Sequence, residues 1–222
     1  NNYLRPYINT IKNVPRVTLK VPTAGGKTFI ACNAIGRIFQ SLQTGDFPKA
    51  VAWFVPSDTI LKQTLEKLQN PTHPYRQTID SLFSHRVTVV DKESALLGKG
   101  LKLEQLQSEL VILVLSAQSF VETVKAKKDV SSEQNKPKAY RENENFFAQS
   151  KYFPHPEKLI PGTDPTALIQ VIAQQNPVVI VDESHNFRTN LRDEMLANLN
   201  PRFILELTAT PRDKSNIVSF VD

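Results

Sequence analysis

The segment Pro177-Val178-Val179-Ile180-Val181 is apolar at every position after its proline. As a β-strand it needs cover on both faces, which is the situation of a central strand in a parallel sheet. Related runs recur at Val17 to Val21, Ala50 to Val55, Arg86 to Val90, Val111 to Leu115 and Phe203 to Leu207. Longer amphipathic stretches lie between them. Lys27 to Gln40 carries Phe29, Ile30, Ala34 and Ile38 at helical spacing, and a further helix is expected around Glu194-Met195-Leu196. Asp58 has the side chain of an N-cap for a helix with Ile60, Leu61, Thr64, Leu65 and Leu68. Strands alternating with helices in this way predict an α/β chain, a mostly parallel doubly wound sheet of six strands with helices on both faces. The 222 residues suit a single domain over 1–222.

One stretch breaks the rhythm. Residues 122–150 are polar and nearly charge-balanced, through Lys125-Ala126-Lys127-Lys128-Asp129 and Arg141-Glu142-Asn143-Glu144-Asn145. They are expected to be a solvated, partly helical surface insertion, or else a mobile element touching DNA or a partner domain. The whole chain is 40% hydrophobic and 22% charged, which excludes wholesale disorder, and no apolar run approaches the ~20 residues that cross a bilayer. The opening Asn1-Asn2-Tyr3-Leu4-Arg5-Pro6 has neither an initiator Met nor a signal-peptide core, and reads as a segment cut from a longer protein. Cys32 is the single cysteine, so no internal disulfide is possible, which suits a reducing cytoplasmic setting. A net charge of +5 favours contact with a polyanion without specifying one.

Two segments carry chemistry. Val21-Pro22-Thr23-Ala24-Gly25-Gly26-Lys27-Thr28 joins a strand to a helix, where successive backbone N–H groups and a helix N-terminus can converge on phosphate. Ala24, Gly25 and Gly26 would cradle the anion, Lys27 would reach the β- and γ-phosphates of ATP, and the Thr28 hydroxyl would ligate Mg²⁺. The strict phosphate-loop pattern also wants glycine at position 21, where this chain has valine. The second segment is Asp182-Glu183, delivered by the apolar strand Val178 to Val181 at the sheet end where ligands bind. Asp182 fits the acid that holds Mg²⁺, and Glu183 the one that orients and activates water. The alternative for this pair is two helix-capping acids at a strand-to-helix turn.

Taken in order, Thr23-Ala24-Gly25-Gly26-Lys27-Thr28, Asp182-Glu183-Ser184-His185 and Leu207-Thr208-Ala209-Thr210-Pro211 resemble motifs I, II and III of superfamily 2 helicases. Val55-Pro56-Ser57 with Gln63 resembles motif Ia, and Val114-Leu115-Ser116-Ala117-Gln118-Ser119-Phe120 the short motif before motif II. The resemblance implies a RecA-like P-loop NTPase lobe in three layers. It further implies backbone contacts to nucleic acid from Pro56, Ser57, Gln63, Ser116 and Gln118. Thr208, Thr210 and His185 would couple ATP state to nucleic-acid binding or to a second lobe. Around motif II and on to Pro211 the chain resembles more closely the DEAD/DEAH-type helicase subunits of type III restriction enzymes, the Res subunits. That implies a DNA-dependent ATPase, helicase or translocase, on double-stranded DNA with RNA left open, partnered by a DNA-methyltransferase modification subunit. In the family a second RecA-like lobe brings an arginine finger, worth roughly 10³–10⁵ in rate. The 222 residues alone are therefore expected to hydrolyse ATP very slowly, and any nuclease domain is expected outside them.

Two other readings stay open: a stand-alone superfamily 2 helicase unrelated to restriction, and a degenerate lobe that binds nucleic acid without hydrolysis. A nucleotide kinase or GTPase shares the phosphate loop but leaves Asp182 to His185 and Thr208 to Thr210 unexplained. One departure concerns the base. Family members often read Leu-Arg-x-Tyr-Gln upstream of the phosphate loop, and this chain has Leu4-Arg5-Pro6-Tyr7-Ile8. His73, His85 and His155 are expected in local structural or surface roles, Trp53 in the core, and Cys32 as a small buried residue.

Overall fold

The computed structural model describes residues 6–42, 48–116, 136–183, 189–212 and 215–220. The strands are β1 (Arg16–Lys20), β2 (Lys49–Val55), β3 (Val87–Asp91), β4 (Leu110–Ser116), β5 (Val178–Asp182), β6 (Phe203–Thr208) and β7 (Ile217–Phe220). The main helices are α1 (Lys27–Ser41), α2 (Asp58–Gln69), α3 (Pro74–Leu82), the short α4 (Lys92–Leu96), α5 (Leu103–Ser108) and α6 (Phe147–Ser150), then α7 (Leu168–Gln174) and α8 (Thr189–Asn198). The strands form one sheet in the order β3-β4-β2-β5-β6-β1-β7, and every pairing among them is parallel. The expected doubly wound α/β architecture is therefore present, with one strand more than the apolar runs indicate.

Side-chain alternation along each strand sorts the core into two layers. Val51, Trp53, Val55, Val178, Ile180, Leu205 and Leu207 face α1, α2 and α3, where Cys32, Ile35, Phe39, Leu68 and Ile79 cover them. Ala52, Phe54, Leu113, Val179, Val181 and Ile204 face the other way, onto α5, α7 and α8 through Leu106, Leu168, Ile172, Leu196 and Leu199. Trp53 is fully buried, as expected of a core residue.

Parallel pairing also puts all carboxyl ends on one edge. Val55 lies beside Ser116, Phe54 beside Val181, Asp182 beside Leu207, and Lys20 beside Thr208. The segments leaving β1, β2, β4, β5 and β6 thus emerge together.

Three expectations are corrected. The N-cap of α2 is Ser57, whose Oγ accepts the Ile60 N–H, while Asp58 is the first helical residue and favours the helix dipole instead. A seventh strand, β7, lies at the sheet edge beside β1, and its four residues make too short a run to stand out. The described part of the polar stretch, residues 136–150, is not wholly solvated: Ala139 and Phe146 are completely buried in the α7-side layer, and Asn143 donates to the Leu96 carbonyl. Beyond it, Gln170 and Gln174 of α7 each pair both donor and acceptor with the backbone of Ile160 and His155, which lets an all-buried helix hold an irregular segment.

Candidate functional site

Val21 explains why the loop tolerates valine where glycine is usual. It is buried, and its N–H donates to the Thr208 carbonyl at 3.0 Å, so the chain still follows β1 at this point. The turn comes after it. The Gly25 N–H closes onto the Pro22 carbonyl at 3.0 Å, and a Cβ on Gly25 would sit 2.9 Å from that oxygen. Ala24 (φ 63°) and Gly26 (φ 75°) occupy the left-handed region on either side. Gly26 caps α1 with no side-chain bond, and its carbonyl accepts from Ile30 N–H to start the helix. The N–H groups of Lys27, Thr28 and Phe29 in the first turn have no intrahelical acceptor, so this end of α1 offers donors that could meet an anion.

The acids arrive from β5. Asp182 closes the strand and is largely buried, and its Oδ1 has no hydrogen-bond partner among the described residues. Burial first, and then the neighbouring Glu183 charge, push its carboxyl up from 3.8 to about 6, while Lys27 and a backbone hydrogen bond from Glu183 pull the other way. Glu183 sits at φ 50°, an uncommon conformation for a bulky residue, which turns the chain directly after the strand. Its Oε1 meets Lys27 Nζ at 2.8 Å, and the same ammonium donates to the Pro22 carbonyl at 3.2 Å. Two segments far apart in sequence are thus joined by a mostly buried ion pair.

Around this pair lies a cleft of about 310 Å³. Ala24, Gly26, Lys27 and Thr28 line one side, Pro56, Ile60, Gln63, Thr64, Lys67 and Tyr75 the other, with Asp182 and Glu183 between. A larger hollow of about 560 Å³ lies at the opposite edge of the sheet, by Lys49, Arg86 and Leu110, and holds none of the sequence motifs. Among the described residues no three His, Cys, Asp or Glu side chains cluster as a metal site. Asp182 and Thr28 would be the protein ligands of a cation here. One carboxylate and one hydroxyl fit Mg²⁺, which takes few protein ligands and completes its shell with phosphate and water. The partnerless Asp182 oxygen is consistent with that role.

The family model described as type III restriction enzyme, res subunit (ResIII) matches residues 2–213. The chain belongs to the ResIII family. Membership supports a helicase-type ATPase lobe. Among solved structures the ResIII chain is similar to a nuclease-deletion mutant of the Type ISP restriction-modification enzyme LlaGI in complex with a DNA substrate mimic. That match has 16% identity and a TM-score of 0.43, and covers 89% of this chain and 16% of the other. The chain therefore spans less than a fifth of that protein's length. No curated protein matches it.

The remaining sequence candidates of this ResIII chain divide. Pro56 and Gln63, expected at nucleic acid, lie on the wall of the same cleft as Lys27 and Asp182. Ser57 caps α2, and Ser116 is buried at the end of β4. Thr208 is buried and its Oγ1 accepts the Thr210 N–H at 3.2 Å; with its carbonyl on Val21, it ties the end of β6 to the start of the phosphate loop. Gln118 and His185 lie outside the described residues. Ile60, Thr64, Lys67 and Tyr75 line the cleft although no sequence motif marks them. Only the fold carries them there, on α2 and α3. Cys32 is buried, and burial pushes its thiol up to about 12, so it is no nucleophile at neutral pH. No helix among the described residues is long and apolar enough to cross a membrane.

Proposed function

We propose that the chain is one RecA-like, ATP-binding motor lobe of a DNA-dependent ATPase, working as the Res subunit of a type III restriction-modification system. The Lys27–Glu183 pair beside Asp182 carries this reading. Without nucleotide, Glu183 holds the lysine that a γ-phosphate would need. With nucleotide, Lys27 moves to the β- and γ-phosphate oxygens, and Glu183 is released to accept a proton from the attacking water. The water oxygen then bonds to the γ-phosphorus as the bond to the bridging oxygen breaks and ADP leaves. Asp182 and Thr28 would hold Mg²⁺, which when bound offsets charge on the phosphates. Thr208, whose carbonyl accepts from the Val21 N–H, is proposed to pass a shift in the phosphate loop on to β6 and Thr210. His185 is proposed to carry the same signal toward a second lobe.

Double-stranded DNA is the proposed track, in keeping with the restriction family and the net charge of +5. A methyltransferase subunit is the proposed partner and the cytoplasm the proposed setting. The test is ATP hydrolysis by the lobe joined to its second lobe, with duplex DNA, with RNA and with neither. Duplex DNA is expected to stimulate turnover, and Lys27→Ala and Glu183→Gln to abolish it. The 222 residues alone are expected to be slower by roughly 10³-fold or more for want of an arginine finger. Turnover indifferent to nucleic acid would overturn the motor reading.

A further inference from the structure

The proposed ATP site has phosphate and metal groups, but Tyr7, in the described part of the upstream segment, is held away from it. The Tyr7 hydroxyl accepts from the Arg16 N–H at 2.8 Å and donates to the Val14 carbonyl at 3.2 Å. Arg16 opens β1, whereas the phosphate loop follows the other end of that strand, about 16 Å away at ~3.3 Å per residue. Tyr7 is therefore fixed at the wrong end of β1 to meet a nucleotide base.

Aromatic surface stands instead beside the loop itself. Phe29 directly follows Thr28 in the first turn of α1, and 46% of it is exposed. Its ring centroid lies 6.1 Å from that of Tyr75, tilted by 38°. Tyr75 lines the same cleft as Lys27 and Asp182. It is held in place from α3's own start: the His73 ring stands edge-on at 4.6 Å, and His73 Nδ1 accepts the Tyr75 N–H. Lys67 Nζ sits 5.8 Å from the Tyr75 ring.

We propose that the base of the bound nucleoside triphosphate stacks on the Phe29–Tyr75 pair, at the seam of α1 and α3, with Lys67 alongside. This inference rests on the ATP-site reading above. The cleft volume is at the small end of the roughly 300–1,000 Å³ typical of ligand pockets, enough for the phosphates with the base lying partly outside on the exposed ring. Every base offers a π-face, so stacking binds without reading hydrogen-bonding edges. The site therefore takes nucleoside triphosphates with weak discrimination between bases, adenine and guanine included. Were the pair merely a seal between helices, Phe29 would be covered by Tyr75 and not left half open.

The experiment compares equilibrium binding of ATP, GTP and inorganic tripolyphosphate, each with Mg²⁺, to the protein and to its Phe29→Ala, Tyr75→Leu and Tyr75→Phe variants. Phe29→Ala and Tyr75→Leu are expected to weaken ATP and GTP about tenfold or more. Tripolyphosphate affinity should stay unchanged, and Tyr75→Phe should bind ATP like the parent. ATP affinity unaffected by Phe29→Ala overturns the inference, as does an equal loss for tripolyphosphate, which would place the effect on the phosphates. Loss of duplex DNA affinity with ATP binding intact also overturns it, assigning the rings to nucleic acid. Failure of the parent protein to bind tripolyphosphate or ATP would sink the ATP-site reading itself, and the stacking site with it. Thermal unfolding of each variant checks that a loss is not misfolding.

Discussion

Two low-exposure ion pairs lie at opposite ends of β1, and they differ in how completely their charges are met. At the amino end, Arg16 reaches Glu206 Oε1 at 2.9 Å with one nitrogen, and Asp193 and the Thr10 hydroxyl at 2.9 Å with another. The second oxygen of Glu206 accepts from Thr18 at 2.9 Å. Beyond the carboxyl end, Lys27 meets Glu183, yet the adjacent Asp182 keeps an oxygen with no hydrogen-bond partner among the described residues and a carboxyl pushed up to about 6. A buried network whose donors and acceptors match holds strands together. One that leaves a buried carboxylate oxygen without a partner among the described residues marks a candidate functional site. The same contrast separates the two hollows of the sheet, since the larger one gathers no such group. Concavity alone does not mark the chemistry.

The contrast is broken most forcefully at Arg16. Arg16→Ala leaves Glu206 buried without its cation, and is expected to lower the stability seen in urea unfolding by about 3–5 kcal/mol. Nucleotide affinity at temperatures where the variant is folded should not change. A loss below about 1 kcal/mol would mean the network is not the fastener described here.

Asp182→Asn should act with the opposite sign and a smaller size. Because folding raises the Asp182 pKa from 3.8 to about 6, its contribution favours the folded state fully below pH 4. That contribution is lost as pH rises through 6, where the folded state must carry a buried charge. The variant is thus expected to be more stable than the parent by about 3 kcal/mol at pH 8, with the gain fading between pH 6 and 4. Urea midpoints across that range measure it, and an unchanged or lowered midpoint at pH 8 would remove the case for a strained carboxylate.

Much of this was legible from residues alone, for identifiable reasons. Val178 to Val181 and Val111 to Leu115 are apolar throughout because both faces are covered, so they announce central strands. Gly26-Lys27-Thr28 and Asp182-Glu183 stand out because turn geometry and charge are local requirements. The capping residue of α2 and the four-residue β7 were less visible, since a one-residue shift of a cap or a short edge strand leaves little pattern. Tyr75 and Lys67 gave no signal at all. They reach the cleft only because α2 and α3 pack on the same sheet face as α1, which is a property of the fold. The Lys27–Glu183 contact is likewise tertiary, arising where β5 emerges at the same edge as β1.

In the proposed function Lys27 exchanges the Glu183 carboxylate for a phosphate. Calorimetric titration of ATP with Mg²⁺ into the parent protein, Lys27→Ala and Glu183→Gln tests it directly. The expected result is one saturable site in the parent, binding lost by about a hundredfold in Lys27→Ala, and affinity a few-fold tighter in Glu183→Gln, where the lysine has no charged competitor. Binding that survives Lys27→Ala, or that weakens in Glu183→Gln, would contradict the account.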